Sequence, residues 1–125
     1  RRRRQAGSAV ASDVIPRCTV GELIDEGIRT TRHCECCGDF ADVDLQRIAA
    51  VKGRDFSLVD RLPFCTNGDC LGMIRFQIHR GLRAQWLLTP DGAARFQAHS
   101  DWLFTYRQVQ SRRAAQRAAR RTPQT

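Results

Sequence analysis

The sequence predicts a small α+β domain that is stabilised by a bound metal ion. Four cysteines occur as two close pairs, at positions 34 and 37 and at positions 65 and 70. Short segments with the periodicity of strands and helices lie before, between and after these pairs. The chain has 125 residues, and its strongly apolar residues lie between positions 14 and 109. A folded part of this size has a small core, so a metal ion is a substantial source of stability.

The first predicted elements are a short helix and a strand. Thr19 and Glu22 have the spacing of a capping box, in which each side chain accepts a hydrogen bond from the other residue's backbone N–H. The helix is expected to end at Gly27, a residue that readily adopts the positive φ found after helix ends. Residues 28–33 alternate and contain two threonines, which predicts a strand leading into the first cysteine pair.

A second helix is predicted between the two cysteine pairs. Either Asp42 or Asp44 can cap its first turn, and Gly53 can end it. The predicted helix contains these apolar residues: Leu45, Ile48, Ala49 and Val51. Residues 54–64 are predicted to form a loop that becomes extended just before Cys65.

Two strands are predicted after the second cysteine pair. Ile74, Phe76 and Ile78 alternate with polar residues, as expected for a strand with one buried face. Gly81 interrupts this pattern, and residues 82–88 are predicted to form a further strand. The order of elements, with strands on either side of an inserted helix, is the basis for the α+β assignment.

A C-terminal helix is predicted to begin at Thr89-Pro90-Asp91, which provides an N-cap, a proline at the first helical position and an acid in the first turn. A break near His99 with a new start at Asp101 is the alternative to one continuous helix. The polar segment after position 110 can extend the helix as far as Pro123. One apolar face of this helix is expected to pack on the domain: Phe96, Trp102, Leu103, Tyr106 and Val109.

The two cysteine pairs predict a closed metal site with four thiolate ligands. The sequence Cys-x-x-Cys-Gly at 34–38 is a zinc knuckle, because the two-residue gap turns both sulfurs toward one point and the glycine accepts a positive φ. Four residues separate the second pair, and Asn67-Gly68 supplies the tight turn within them. We expect one structural Zn²⁺ with these ligands: Cys34, Cys37, Cys65 and Cys70.

Other roles for the cysteines and histidines are alternatives to this ligand set. Cys36 is adjacent to Cys37, and two neighbouring residues do not both bind one ion in a relaxed geometry, so Cys36 is the main ambiguity. His33 is an alternative ligand, and Cys18 is expected to be a small buried residue. Disulfide pairing remains an open alternative. A redox role is disfavoured because a thioredoxin-like motif requires a larger parallel sheet. Two histidines are expected to be ordinary strand and helix residues, namely His79 and His99.

Three sequence patterns carry a resemblance to a known superfamily. They are Thr-Val-Gly-Glu-Leu at 19–23, the knuckle at 34–38 and Asp-Val-Asp-Leu-Gln-Arg-Ile at 42–48, followed by a second cysteine pair that leads into a strand. Over residues 18–80 the chain resembles the zinc-ribbon superfamily, in particular short uncharacterised bacterial zinc-ribbon proteins. The resemblance implies structural zinc and a role in nucleic-acid transactions or protein contacts. The helix between the cysteine pairs and the longer second gap depart from the simplest ribbons.

The net charge of +8 is concentrated at the two ends of the chain, beginning with the four arginines at 1–4. The stretch from position 5 to position 106 contains all 13 acidic residues but only 11 of the 21 basic ones. Arginine donates forked hydrogen bonds that match phosphate, so the ends predict contact with a DNA or RNA backbone. A GC-rich genome, which raises arginine content without a functional demand, is the alternative explanation. The candidate nucleic-acid-binding residues are Arg107, Arg112, Arg113, Arg117, Arg120 and Arg121.

The C-terminal arginines would form a stripe if the segment were helical, because four of them fall within a sector of about 100°. Like charges one turn apart oppose an isolated helix, so we expect this segment to fold on contact with nucleic acid. A solvated tail that only aids solubility is the alternative. Four aromatic residues have side chains able to stack on bases, but their periodicity favours a place in the core: Phe76, Trp86, Trp102 and Tyr106.

These features favour a structural-zinc protein that associates with the nucleic-acid backbone with little sequence specificity. The alternative is a protein-interaction or structural component of a larger bacterial or phage assembly, in which the near-neutral body docks a protein partner. An enzyme is not expected, because the chain lacks a nucleophile with its base and lacks paired carboxylates beside a cofactor loop. No small-molecule substrate is expected for the same reason.

The predicted organisation has four parts. They are a disordered basic arm at 1–13, a zinc-ribbon domain at 14–88, a helix packed on it at 89–109 and an Arg-rich tail at 110–125. No apolar run approaches the roughly 18 residues of a membrane-spanning helix, so no membrane partner is expected. The apolar part of the N-terminal stretch is too short for a signal peptide, which predicts a cytoplasmic location and reduced cysteines. An organelle presequence is the alternative.

Overall fold

The computed structural model describes residues 18–121, so the predicted arm at 1–13 and the last residues of the predicted tail lie outside the described residues. Within this range the chain forms one antiparallel sheet and three helices. The helices are α1 (Val20–Asp25), α2 (Leu45–Lys52) and α3 (Pro90–Arg121). The strands are β1 (Arg29–Cys34), β2 (Phe40–Asp42), β3 (Ile74–Arg80) and β4 (Arg83–Trp86). The α+β class, the inserted helix and the C-terminal helix are confirmed.

The sheet has the strand order β2-β1-β3-β4, and every neighbouring pair is antiparallel. Strands β1 and β3 form the centre, with Cys34 at the end of β1 opposite Ile74 at the start of β3. This register matters for the cysteines, because it places the chain leaving β1 beside the chain entering β3. The predicted strand at 28–33 thus corresponds to β1, and the predicted strand at 82–88 corresponds to the shorter β4.

Local signals account for the starts of both short helices. The capping box is present in α1, where the Glu22 amide donates to the Thr19 hydroxyl and the Thr19 amide donates to the Glu22 carboxylate. Of the two candidate caps for α2, Asp44 is the one used, since it accepts a hydrogen bond from the Arg47 amide at 3.1 Å. Asp42 instead lies in β2. Strand β2 was not predicted because its three residues are too few to show an alternating pattern.

The main core lies between α1, the sheet and the segment that follows α2. Its buried members come from α1 and the chain just before it, from the loop after α2, from β3 and from the end of β4: Cys18, Val20, Leu23, Leu58, Ile78 and Leu87. Cys18 is thus a buried residue, as expected. Phe76 also packs against this cluster, which confirms its predicted place in the apolar face of β3. The loop at 54–64 crosses the core at Leu58 and becomes extended at Phe64, which forms a β-bridge with Met73.

Helix α3 is continuous from Pro90 to Arg121, so the alternative with a break near His99 is wrong. The helix also continues through the predicted boundary at 109/110. Its first turn is held by Asp60, whose carboxylate accepts hydrogen bonds from the backbone amide and the hydroxyl of Thr89. No helix among residues 18–121 has both the length and the apolar character required to cross a bilayer.

The prediction that one wide apolar face of α3 packs on the domain is only partly right. Phe96 and Leu103 are buried, but Trp102 is 50% exposed and Tyr106 is 37% exposed. At 100° per residue, Leu103 and Phe96 point in nearly the same direction, whereas Trp102 lies about 100° away from Leu103. The two exposed rings therefore lie on the flank of the helix rather than against the sheet.

Candidate metal centre

The ends of β1 and β3 bring the two cysteine pairs together. The first cysteine loop (34–38) leaves β1, and the second cysteine loop (65–72) leads toward β3. Because these strands are antiparallel neighbours with Cys34 opposite Ile74, the loops meet at one end of the sheet. The second loop is tied back on itself by a hydrogen bond from the Cys65 amide to the Gly72 carbonyl at 2.8 Å. The fold therefore positions two loops that are distant in sequence.

Four sulfurs converge where these loops meet. The Sγ atoms of Cys34, Cys37, Cys65 and Cys70 all lie within 4.8 Å of one another. Cys34 Sγ is 3.6 Å from Cys70 Sγ, and Cys37 Sγ is 3.7 Å from Cys65 Sγ. A tetrahedral ion with metal–sulfur bonds of about 2.3 Å requires sulfurs about 3.8 Å apart. The four predicted ligands thus fit a metal ion, and the separations are far above the roughly 2.05 Å of a disulfide.

Backbone and side-chain N–H groups point at the sulfurs, as they would at thiolates. The Asn67 amide donates to Cys65 Sγ at 3.5 Å, and the Asn67 side chain donates to Cys37 Sγ at 3.7 Å. Two glycines adopt the positive φ that the turns require, Gly38 at 80° and Gly68 at 55°. The N–H donors favour negative charge on the sulfurs, which is the form that binds a metal.

Gly72 is needed because the cysteines approach its backbone closely. A Cβ at this position would lie 2.7 Å from Cys36 Cβ and 2.9 Å from Cys34 Sγ. Real Cβ atoms do not make contacts this short, so any side chain here would displace the sulfur of a ligand. The position of Gly72 two residues after Cys70 does not predict this close approach, which depends on how the two loops fold together.

The thiols differ in how readily they ionise. The pKa of Cys37 is lowered to about 7 by hydrogen bonds from the Asn67 side chain and from the Asp39 backbone. Burial raises the pKa of Cys34. The backbone N–H of Asn67 lowers the pKa of Cys65, but burial and hydrogen bonds with the neighbouring thiols outweigh it and raise the pKa to about 12. Without a metal the cluster therefore retains protons at neutral pH.

The other cysteines and histidines have partners outside the cluster. Cys36 Sγ accepts a hydrogen bond from the Arg107 guanidinium at 2.7 Å and is not among the converging sulfurs. His33 and His79 each place Nε2 within 2.9 Å of the Thr31 hydroxyl, so these rings surround a buried threonine. His99 donates to the Leu71 carbonyl at 2.7 Å. The alternative in which His33 is a ligand is therefore not supported.

Helix α3 packs on both cysteine loops. Arg107 contacts Cys36 of the first loop, and His99 contacts Leu71 of the second loop. Leu103, between these two contacts, and Phe96, one turn before His99, are buried. A metal ion held by the four sulfurs would fix the two loops relative to each other, and with them the surface on which this helix lies.

The candidate nucleic-acid-binding arginines lie along the last part of α3. Arg107 is held by Cys36, whereas the other five lie in the stretch 111–121, where every residue is exposed. The salt bridges found within residues 18–121 involve other arginines, those at positions 29, 32, 54 and 75. The side chains of Arg113, Arg117 and Arg120 fall within about 60° on one side of the helix. The structure thus aligns three candidates and separates Arg107 and Arg112 from them.

A row of aromatic rings was missed at the sequence level. Phe64, His99, Trp102 and Tyr106 follow one another with ring centroids 5.6, 5.4 and 5.1 Å apart, and we call them the aromatic row. The helical spacing of Trp102 and Tyr106 led to their prediction as part of a buried face, and His99 was expected to be an ordinary helix residue. Helical spacing identifies residues on one side of a helix but not whether that side faces the core.

No protein-family model, curated protein or solved structure matches this chain. The resemblance to the zinc-ribbon superfamily therefore stays a prediction.

Proposed function

We propose that the protein binds nucleic acid through the arginine segment, Arg107–Arg121, and that a structural Zn²⁺ holds the domain that carries it. One observation supports this function above all others. The segment contains six arginines and no acidic residue, and its part from 111 onward is fully exposed. At 1.5 Å per residue this exposed part extends about 16 Å along the helix axis. Such a rod of positive charge is suited to a phosphate backbone.

The choice of zinc rests on the ligand set. Four thiolates at tetrahedral spacing suit Zn²⁺ or an iron centre, and Zn²⁺ is the usual ion of small structural sites. Four sulfurs also complete the coordination of such an ion, so the role we assign to it is structural. Cysteine loops that leave one strand and lead into another agree with the zinc-ribbon resemblance.

The metal and the arginine segment are connected through the packing of α3. The helix contacts Cys36 in one loop and Leu71 in the other, so it requires both loops in place. The ion would therefore maintain the surface on which the helix rests, rather than contact nucleic acid itself. This connection explains why one small chain would combine a metal site with a charged helix.

Salt dependence of binding tests this proposal. Neutralisation of about five phosphates by the five exposed arginines predicts that log K falls with log salt with a slope of about −3.5 to −4.5. We expect the double variant R113Q/R117Q to bind more weakly and to reduce that slope by about 2. The matched control R47Q/R83Q removes the same charge from exposed positions outside α3. Binding that ignores salt, or that falls equally in both variants, would refute the proposal.

A groove beside α2 favours a second candidate function, the docking of a protein partner. It has a volume of about 680 Å³, and its apolar lining includes Ile48, Val51 and Phe56. Four basic residues lie at the same groove: Arg47, Lys52, Arg61 and Arg95. An apolar floor with cationic edges fits an acidic amphipathic peptide. If this is the function, Val51→Asp abolishes binding of such a partner while R113Q/R117Q leaves it unchanged.

A further inference from the structure

We propose that the nucleic acid bound by α3 is single-stranded, with its bases stacked on the aromatic row and its phosphates on the arginines that follow. This inference rests on the proposed function and specifies its ligand. The row would bind bases of DNA or RNA, since every base has an aromatic face.

Three members of the aromatic row are exposed. Phe64 is 63% exposed and Trp102 is 50% exposed, while Tyr106 is 37% exposed. Trp102 and Tyr106 are stacked with an angle of only 20° between their planes. A buried core would not leave three aromatic side chains exposed at this level, and contiguous exposed apolar surface commonly marks a binding site.

The aromatic row and the arginines lie on the same side of α3. At 100° per residue, Trp102 and Tyr106 point within about 20° of the direction of Arg113. Arg117 and Arg120 continue that direction farther along the helix. Tyr106 and Arg113 are separated by two turns, about 10 Å along the axis, so one strand can contact both. One side of the helix thus carries the aromatic rings first and the arginines farther toward the C-terminus.

This arrangement favours a single strand over a duplex. In a duplex the base faces are covered by their stacked neighbours, so a helix can contact only the phosphates and the base edges in the grooves and its rings cannot stack on bases. In a single strand the bases can separate and stack on aromatic side chains, as in proteins that combine rings with a cationic track. The arginines alone would accept either form, so the rings provide the discrimination.

Helix α3 itself supplies a control residue. Phe104 is 66% exposed and belongs to the same helix, but it points about 180° away from Arg113. Removing its ring removes a comparable exposed aromatic surface from the opposite flank. A loss of binding specific to the aromatic row can therefore be separated from a general effect of aromatic truncation.

The experiment compares labelled oligothymidylate, oligouridylate and a duplex, each about 20 nucleotides long so as to exceed a typical binding site. Fluorescence anisotropy is measured with the zinc-loaded full chain at one salt concentration. We expect both single strands to bind at least about tenfold more tightly than the duplex. W102A and Y106A should each weaken single-strand binding about fivefold or more and leave duplex binding unchanged, whereas F104A should change neither. The ratio of the two single strands tells DNA from RNA.

A second readout does not require truncation of a ring. In a Trp86→Phe background, Trp102 is the remaining tryptophan of the chain, and stacking of thymine on it should quench its fluorescence. Equal affinity for duplex and single strands, or equal effects of W102A, Y106A and F104A without quenching, would overturn this inference. The proposed function would survive that result if R113Q/R117Q still weakened binding. Absence of binding to all three probes would refute both.

Discussion

Cys36 and Cys37 are neighbours in the chain, but only Cys37 directs its sulfur into the cluster. The residue spacing identified all four converging cysteines, because a two-residue gap followed by glycine constrains the knuckle geometry. The spacing could not identify the hydrogen-bond donor to Cys36, which is Arg107, 71 residues away. The need for Gly72 was equally hidden, since it depends on the approach of Cys34 and Cys36 in space. At this scale, local spacing predicted the ligands and only tertiary contact shows their surroundings.

The first prediction separates the two neighbouring cysteines. Cys37→Ser removes a ligand. Loss of a residue that only hydrogen-bonds a ligand typically costs roughly 10–100-fold in metal affinity, so we expect this variant to lose more than that. Cys36→Ser retains the four ligands and should bind zinc within a few-fold of the unchanged protein. Competition with a chromophoric chelator measures both affinities. Similar losses in the two variants would mean that the assignment of ligands is wrong.

The second prediction concerns pH. At pH 7 the thiols of Cys34 and Cys65 carry protons, because the pKa of Cys34 is raised and that of Cys65 is about 12. Metal binding must displace at least these two protons, so it is weakened as the pH falls. Between pH 7 and pH 6 we expect the apparent association constant for zinc to decrease by at least about 100-fold. A pH-independent affinity over this interval would contradict the ligand set.

Helix α3 shows how much of an element is predictable from its own residues. Its start was predicted from Thr89-Pro90-Asp91, which are local signals. Its direction across both cysteine loops could not be predicted, because it depends on hydrogen bonds that Asp60, His99 and Arg107 make with residues distant in the sequence. The expectation that its last part folds only on binding differs from the structure, in which the helix reaches Arg121. The long preceding helix supplies the nucleus that an isolated Arg-rich segment would lack.

The third prediction tests the junction that begins α3. A Cβ at Gly92 would overlap the carboxylate of Asp60, so Gly92→Ala should destabilise the protein by about 1–3 kcal/mol. Asp60→Gly removes that carboxylate and suits the φ of 60° at this position. In the Asp60→Gly background, Gly92→Ala should therefore become neutral or stabilising by up to about 1 kcal/mol. Urea unfolding measures all four proteins, and the same cost in both backgrounds would exclude the proposed clash.

In the molecule as a whole, the candidate metal site, helix α3 and the arginines at its C-terminal end are connected. The distribution of charge along the sequence distinguishes a near-neutral body from two basic ends. The structure connects the body to the C-terminal end through the contacts of α3 with both cysteine loops. Sequence alone could not connect them, because charge and cysteine spacing are independent patterns. Exposure of the aromatic row is likewise a property of the assembled fold.

The fourth prediction follows from this dependence. Removal of zinc by a strong chelator should free the two cysteine loops, unfold the body and weaken nucleic-acid binding together, since structural zinc contributes about 10–16 kcal/mol to folding in small domains. Circular dichroism and fluorescence anisotropy on the same samples measure the two losses, and added zinc should restore both. Undiminished binding by metal-free, unfolded protein would show that the arginine segment acts without the domain.

The most direct test of the metal site is X-ray absorption at the zinc edge on the 125-residue chain purified without added metal. We predict one zinc per chain with four sulfur neighbours at about 2.3 Å. Folded protein without zinc, or zinc with nitrogen or oxygen in place of any of the four sulfurs, would contradict it.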